Sequence, residues 1–224
     1  KLSIVTTMYW SETYLEEFYQ RCKTEVQKIT NDYEIIFVND GSPDTSLDLA
    51  LAQQAADSSH IRVIDLARNF GHHKAMMTGL IHSRGELVLL IDSDLEEEPE
   101  LLSDFHQTML KSHADVVYGI QDKRKGRVFE RITGNLFYSI FNFLSTYPVP
   151  ANLVTMRLMQ RRYVDSLIEH QDREVFMAGL WAITGFTQVP HLVTKGCRGD
   201  TNYGISRKIS ILVNSITSFS NKPL

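Results

Sequence analysis

The chain has 224 residues and a formal net charge of −4. Its 43% hydrophobic and 22% charged residues are typical of a folded globular protein and exclude a disordered chain. The acidic balance argues against a nucleic-acid partner, and two distant cysteines support neither a disulfide framework nor a zinc site.

The first 120 residues alternate short β-type runs with helical patterns. Strands are predicted over residues 2–7, 34–39, 61–66, 86–91 and 114–119. Helices are predicted over residues 11–28, 46–56, 73–83 and 98–112. This alternation predicts an α/β fold, with a mostly parallel central sheet flanked by helices on both faces.

The pattern changes after residue 120. Residues 121–131 are basic, and residues 132–144 are rich in aromatic and aliphatic side chains. A basic segment joined to such a helix predicts an amphipathic helix in a membrane interface, and the alternative is a core helix with a solvated basic approach. The region after residue 150 mixes short helices and strands. No apolar run of about 18 residues occurs, so the sequence predicts no membrane span.

The first candidate site follows the strand predicted over residues 34–39. Asp40 stands where a carboxylate can accept hydrogen bonds from a base or ribose, because parallel sheets bind ligands at the carboxyl ends of their strands. Gly41 permits a tight turn, and Ser42 begins a stretch that can cap the next helix. The alternative is plain turn chemistry, since Asn-Asp-Gly-Ser-Pro forms a turn in any fold.

The second candidate site follows the strand predicted over residues 86–91. Asp92 and Asp94 have i, i+2 spacing, which places side chains on the same side of an extended segment. Two carboxylates on one side suit Mg²⁺ or Mn²⁺, which in turn hold a diphosphate. Five of the seven residues 92–98 are acidic, and the alternative is a solvated acidic start to the next helix.

The third candidate site covers residues 66–74, again between a strand and a helix. Arg68 and Lys74 carry the charge needed to reach phosphate oxygens. His72 and His73 are adjacent, and adjacent side chains at a helix start do not converge on one metal ion, so a histidine metal pair is disfavoured.

Together these motifs resemble the family 2 glycosyltransferases with a GT-A fold, in particular the polyprenyl-phosphate glycosyltransferases. The resemblance runs in order along nearly the whole chain. It is carried by Tyr9, by residues 38–42, 68–71 and 92–95 with 99–100, and then by residues 117–119, 136–138, 157–159, 215–220 and 222–224. The ordered set is specific, whereas Asp-Gly-Ser or Asp-x-Asp alone is weak.

The resemblance implies inverting transfer of a sugar from a UDP- or GDP-sugar to polyprenyl phosphate. It implies Asp92 and Asp94 as metal ligands for Mg²⁺ or Mn²⁺. The remaining implied site residues are the nucleotide-binding Thr7, Tyr9, Asp40, Gly41, Ser42, Arg68, Asp92 and Ser93, the catalytic Asp94, Glu96 and Glu97, and Arg124, Arg131 and Arg198 at the acceptor phosphate.

Some positions depart from the family pattern. Glu96, Glu97 and Glu98 stand where the family usually has Gln-Asp-Pro, and Thr155 stands where it often has Asp. Thr201-Asn202-Tyr203 replaces the usual Ser-Lys-Tyr. These departures leave open a sugar hydroxyl of a glycan or lipid-linked saccharide as acceptor, with Glu96 or Glu97 as the base.

Two other functional classes are disfavoured by the sequence. A non-catalytic sugar-nucleotide or membrane-binding module is disfavoured by the intact Asp92 and Asp94. A dinucleotide-binding dehydrogenase is disfavoured because no Gly-x-Gly-x-x-Gly follows the first strand.

The predicted organisation has three parts. Residues 1–120 form a Rossmann-like nucleotide-sugar-binding half, residues 121–206 an acceptor-binding half with an interfacial helix at 132–144, and residues 207–224 a juxtamembrane helix. The resemblance implies transmembrane anchors beyond residue 224 and a location on the cytoplasmic face of the plasma membrane. A membrane surface is therefore an expected partner, and a homo-oligomer is compatible with the sequence.

Overall fold

The computed structural model describes residues 1–121, 150, 152–170 and 175–194. Its strands are β1 (Leu2–Met8), β2 (Tyr33–Asn39), β3 (Ile61–Asp65), β4 (Leu87–Leu90), β5 (Val116–Gln121), β6 (Leu153–Gln160) and β7 (Gln188–Val193). Its helices are α1 (Leu15–Gln27), α2 (Ser46–Ala56), α3 (His72–His82), α4 (Leu101–Ser112), α5 (Arg161–Ile168) and α6 (Met177–Ile183).

The described strands form one sheet in the order β3-β2-β1-β4-β6-β5-β7. The pairs β1–β2, β2–β3, β1–β4 and β5–β7 are parallel, whereas β6 runs antiparallel to both β4 and β5. The predicted mostly parallel sheet flanked by helices is therefore confirmed. Because strands β1 to β4 point the same way, their carboxyl ends meet at one edge of the sheet.

Apolar side chains pack on both faces of this sheet. In β2, Ile35 and Phe37 join a core with α1, whereas Ile36 and Val38 join a second core with α3. The continuous apolar run of β2 thus serves two layers, which is the pattern of a strand buried on both faces. Burial of both faces fixes the register, since a slip of one residue would exchange the two layers.

Two helices begin later than their sequence patterns predict. The predicted helix over residues 11–28 begins at Leu15, because Ser11 is held outside it. Its N–H donates to Ser46 Oγ at 3.0 Å, and its hydroxyl oxygen lies within hydrogen-bonding distance of Ser93 Oγ, at 3.0 Å. The predicted helix over residues 98–112 begins at Leu101, after a turn in which Leu101 N–H donates to Glu98 O.

The strand β6 joins the sheet although the sequence pattern did not predict an individual strand there. It lies between β4 and β5, with Leu90 opposite Arg157 and Val88 opposite Met159. Because β6 runs antiparallel to β4, its first residues lie at the carboxyl edge of the parallel strands. Strands β6 and β7 therefore extend the same sheet that residues 1–120 begin.

Several predicted features fall outside the described residues. They include most of the basic segment, the interfacial helix over 132–144 and the juxtamembrane helix over 207–224. Among the helices that the structure does describe, none has the length and apolar character required to cross a membrane.

Candidate functional site

Loops after β1, β2, β3 and β4 gather at the carboxyl edge of the sheet. These loops, together with Thr7 near the end of β1, hold all the predicted nucleotide and metal residues. In the sheet order, β1 lies between β2 and β4. Adjacent strands are about 4.8 Å apart, so the ends of β2 and β4 are about 10 Å apart.

Asp40 joins the loop after β2 to the loop after β3. Its Oδ1 accepts a hydrogen bond from Phe70 N–H at 2.7 Å, and its Oδ2 accepts one from Gly71 N–H at 3.0 Å. The residue is only 3% exposed. A buried carboxylate needs such donors, and these two bonds hold the loop before α3 against the end of β2.

Gly41 allows the two loops to meet. Its φ is +64°, and a Cβ at this position would lie 2.6 Å from Asn69 N and 2.7 Å from the Arg68 carbonyl carbon. The next residue, Ser42, receives a bond from Trp10 N–H at 2.8 Å and donates to Asp44 Oδ1 at 2.5 Å. The predicted tight turn thus also serves as a point of close backbone contact.

We expect Gly41→Ala to lower the free energy of unfolding by roughly 2–4 kcal/mol, because it combines a left-handed φ with overlap against backbone atoms. Urea denaturation measures this change. Gly185→Ala is the matched control: Gly185 has φ +76°, but its added Cβ would meet nothing within 4 Å, so it should cost only about 1 kcal/mol. Equal losses in the two variants would contradict the close-contact role of Gly41.

The acidic segment follows β4 in an alternating pattern. Asp92 and Asp94 are partly exposed, whereas Ser93 and Leu95 between and after them are buried. Ser93 Oγ donates to Thr7 O at 2.9 Å, which holds the segment against β1. The Asp94 carboxylate accepts a hydrogen bond from Glu96 N–H at 2.9 Å. Buried anchors therefore alternate with carboxylates that reach the surface of the edge.

His72, the first residue of α3, lies between the ends of β1 and β4. Its Nδ1 is 3.0 Å from Thr7 Oγ1, and its Nε2 is 3.3 Å from Asp92 Oδ1. From the sequence, His72 was a candidate only as half of a disfavoured metal pair with His73. The neighbouring His73 makes a different contact, because its Nδ1 lies 3.0 Å from Val175 O. Burial lowers the pKa of the His73 imidazole.

Glu97 and Arg157 form a buried charged layer beneath the acidic segment. Both are 1% exposed, and Glu97 Oε1 accepts a bond from Thr155 N–H at 2.9 Å. The Arg157 guanidinium carbon lies 3.1 Å from the centroid of the Trp181 ring. Burial lowers the pKa of Arg157 to about 10, and electrostatic interactions with Tyr163 and Glu97 oppose that shift, so the guanidinium is charged at neutral pH.

We expect Arg157→Ala to lower the free energy of unfolding by about 3–5 kcal/mol, because it leaves the buried Glu97 carboxylate without its nearby cation. Chemical denaturation at pH 7 measures the loss. Arg84→Ala, on the exposed surface, is the control and should change stability by less than about 0.5 kcal/mol. Adding Glu97→Gln to the Arg157→Ala variant should recover part of the lost stability, and no recovery would contradict a charge-based role.

Aromatic and basic side chains border the edge on its outer side. Tyr9 is 50% exposed and packs edge-to-face against Trp10, at 6.4 Å between ring centroids. Arg68 is exposed, and its guanidinium carbon lies 4.1 Å from the centroid of the Phe70 ring. These side chains place exposed aromatic rings and one positive charge at the edge.

Comparison with known proteins identifies the family. Glycosyl transferase family 2 matches residues 3–168, which is most of the chain. The chain belongs to glycosyl transferase family 2. The resemblance inferred from the ordered motifs is thereby confirmed.

Two relatives of this family 2 member match over its whole length. A protein of Mycobacterium tuberculosis (strain CDC 1551 / Oshkosh) that bears a glycosyltransferase name is 52% identical over 224 residues, which are 100% of this chain and 65% of that protein. An undecaprenyl-phosphate 4-deoxy-4-formamido-L-arabinose transferase of Erwinia tasmaniensis (strain DSM 17950 / CFBP 7177 / CIP 109463 / NCPPB 4357 / Et1/99) is 29% identical over 227 residues, which are 100% of this chain and 69% of that protein. This family 2 chain thus spans about two thirds of the length of these relatives.

Solved structures show that this family 2 chain has the GT-A fold. S. aureus TarS 1–349 in complex with UDP-GlcNAc has a TM-score of 0.62 at 18% identity, over 100% of this chain and 68% of that one. The mannosyltransferase PcManGT from Pyrobaculum calidifontis, in complex with GDP-Man and Mn²⁺, has a TM-score of 0.60 at 14% identity, over 88% of this chain and 58% of that one.

The acidic segment of this family 2 member fits a divalent cation held together with a substrate. Asp92 and Asp94 supply hard oxygen donors that are partly exposed. Among the described residues, no three His, Cys, Asp or Glu side chains form a complete metal cage. That donor set suits Mg²⁺ or Mn²⁺, which proteins often bind through one or two carboxylates while substrate phosphates and water complete the shell.

Not all predicted residues are brought into this site. Glu96 is partly exposed at the edge, whereas Glu97 is buried beneath it. Arg124, Arg131 and Arg198 lie outside the described residues. His72 and Arg157 were missed as site residues, although the position of His72 after a strand of the parallel sheet was a usable signal.

Proposed function

We propose that this chain transfers a sugar, with inversion at the anomeric carbon, from a UDP- or GDP-sugar to a polyprenyl phosphate such as undecaprenyl phosphate. The observation that carries the proposal is the placement of Asp40 and the Asp92–Asp94 pair at one edge of a family 2 sheet. The name of the Erwinia tasmaniensis relative supports the lipid-phosphate acceptor.

In the proposed complex the nucleotide lies along this edge. Asp40 and Ser42 are proposed to contact the base and ribose, together with Thr7 and Tyr9, while Arg68 approaches the phosphates. Ser93 Oγ donates to Thr7 O and so holds the acidic segment in place. Asp92 and Asp94 would hold the divalent cation. When bound, that cation neutralises charge on the diphosphate leaving group.

The chemical step requires no base from the protein. An oxygen of the acceptor phosphate forms the new bond to the anomeric carbon, while the bond from that carbon to the diphosphate oxygen breaks and its electron pair leaves with the nucleoside diphosphate. Because the acceptor phosphate is already anionic at neutral pH, it needs positioning and desolvation. Arg124, Arg131 and Arg198 are proposed to supply that positioning.

A hydroxyl acceptor would place a different demand on the site, since it must lose a proton to a carboxylate. Glu96 is the better candidate for that role, because it is partly exposed at the edge. Glu97 is buried and its Oε1 already accepts the Thr155 N–H, so its position suits support of the edge.

Transfer to a lipid phosphate can be tested directly. The chain is incubated with radiolabelled UDP- and GDP-sugars, undecaprenyl phosphate and MgCl₂, and the label is followed into the organic phase. Label in a mild-acid-labile lipid product supports the proposal. Label that appears only in water-soluble or saccharide products, with acceptor glycans added, contradicts the lipid-phosphate acceptor and favours the hydroxyl alternative.

We further propose that the protein works on the cytoplasmic face of the plasma membrane. The support is the basic segment at 121–131 next to the aromatic-rich residues 132–144, together with the lipid-linked substrate named for the relative. Cations near anionic headgroups contribute roughly 1 kcal/mol each.

We expect this chain to float with vesicles that contain anionic lipid and to float less with neutral vesicles, because the basic segment binds the charged surface. Liposome flotation measures the bound fraction. A variant with Arg124→Glu and Arg131→Glu should bind several-fold less, whereas Arg84→Glu serves as the control. Equal binding to both kinds of vesicle would contradict the electrostatic contribution.

A further inference from the structure

The start of α3 touches both ends of the candidate nucleotide site through two consecutive residues. Gly71 N–H donates to Asp40 Oδ2 at 3.0 Å, at the end of β2. His72 Nε2 lies 3.3 Å from Asp92 Oδ1, at the end of β4. Two strand ends that are about 10 Å apart are thus connected through one short piece of backbone.

The imidazole of His72 contacts a side-chain oxygen with each of its two nitrogens. Nε2 lies 3.3 Å from Asp92 Oδ1, and Nδ1 forms a hydrogen bond of 3.0 Å with the Thr7 hydroxyl. The imidazole is therefore held between Thr7 and one carboxylate oxygen of Asp92.

The position of Thr7 makes this arrangement rigid at its far end. Thr7 is 9% exposed on β1, and its carbonyl oxygen accepts from Ser93 Oγ at 2.9 Å. The His72 side chain is 46% exposed, so it contributes little to the packing of the core. A partly exposed imidazole with both nitrogens directed at side-chain oxygens suits orientation of Asp92 better than structural support of α3.

We infer that His72 is a positioning residue that orients the Asp92 carboxylate for a divalent cation and the diphosphate of the donor. The inference rests on the proposed function, because it takes the acidic segment as the diphosphate end of the site. Groups that hydrogen-bond to metal ligands typically change metal affinity about 10–100-fold when they are removed. His72 is in direct contact with Asp92, at 3.3 Å between Nε2 and Oδ1, and we expect an effect of the same size.

The test separates binding that depends on the cation from binding that does not. UDP and GDP are titrated calorimetrically into the chain in saturating MnCl₂ and in EDTA. For His72→Ala we expect about 10-fold weaker binding in MnCl₂ and a change of less than twofold in EDTA. His72→Gln should recover most of the loss, because its amide can donate to Asp92 from the place of Nε2.

Two further variants control for structure. Thr7→Val should reproduce part of the loss in MnCl₂, since it removes the hydroxyl that forms a hydrogen bond with Nδ1. His82→Ala changes an exposed histidine at the other end of α3 and should match wild type in both conditions. The melting temperatures of the His72 variants should stay near that of wild type.

The outcomes distinguish this inference from the proposed function. Three outcomes overturn the inference alone. The first is His72→Ala binding as wild type does, and the second is an equal loss of its affinity in MnCl₂ and in EDTA. The third outcome is wild-type binding that does not respond to Mn²⁺. A wild-type chain that binds neither UDP nor GDP in either condition overturns the proposed function and this inference with it.

Discussion

Asp94→Asn is expected to lower sugar transfer about 10²–10³-fold, because it removes one of the two carboxylates proposed to hold the cation that neutralises the leaving diphosphate. The loss should appear mainly in kcat. The asparagine Oδ1 can still accept the Glu96 N–H, so the local turn should persist and the melting temperature should change little. Transfer of radiolabelled sugar, with thermal denaturation beside it, measures both quantities.

The control for this variant is an exposed carboxylate away from the edge. Asp104 lies in the first turn of α4 and is exposed, so Asp104→Asn should retain wild-type transfer. Asp92→Asn should behave like Asp94→Asn. A fully active Asp94→Asn chain would remove the acidic segment from the metal assignment.

The second large effect is expected for Asp40→Ala, which should weaken UDP or GDP binding at least 10-fold. The variant removes a carboxylate proposed to face the base or ribose, and it releases the two backbone donors of Phe70 and Gly71 that hold the loop before α3. Because these are bonds to a charged, buried acceptor, we also expect a loss of about 2–3 kcal/mol in stability. Calorimetry and urea denaturation measure the two effects.

Asp40→Asn separates the two roles of this residue. Its amide oxygen can keep one of the two backbone bonds, so it should retain more stability than Asp40→Ala. Asp48→Ala, an exposed position on α2, should leave both nucleotide affinity and stability unchanged. Nucleotide affinity that is unchanged in Asp40→Ala would remove Asp40 from the nucleotide site.

The location of the site at the carboxyl edge was predictable from local pattern. The apolar runs of β2 and β4 mark strands buried on both faces, and the polar residues that follow each run must then emerge at the same edge. The placement of Asp40, Asp92 and Asp94 at this edge was predicted in this way. The inference needed only the periodicity of the chain and the parallel direction that alternating strands and helices impose.

The helix starts were harder to predict, because the deciding contacts are distant in sequence. The local sequence predicts that α1 begins at Ser11, yet the helix begins at Leu15. The N–H and the hydroxyl of Ser11 form hydrogen bonds with the side chains of Ser46 and Ser93, which are distant in sequence. Local capping signals compete with such contacts, and here the tertiary contacts prevail.

Local patterns in the chain were enough to predict the α/β class, the mostly parallel direction of the strands in the first half and the edge at which the carboxylates emerge. The antiparallel position of β6 beside β4, with a buried arginine at its centre, is visible only in the folded structure. An arginine in a strand pattern argues against burial, because desolvating its charge is costly. Contact with the Trp181 ring and the charge of Glu97 offset that cost. No local pattern indicates the role of His72, because its neighbours Thr7 and Asp92 come together with it only when three strand ends converge.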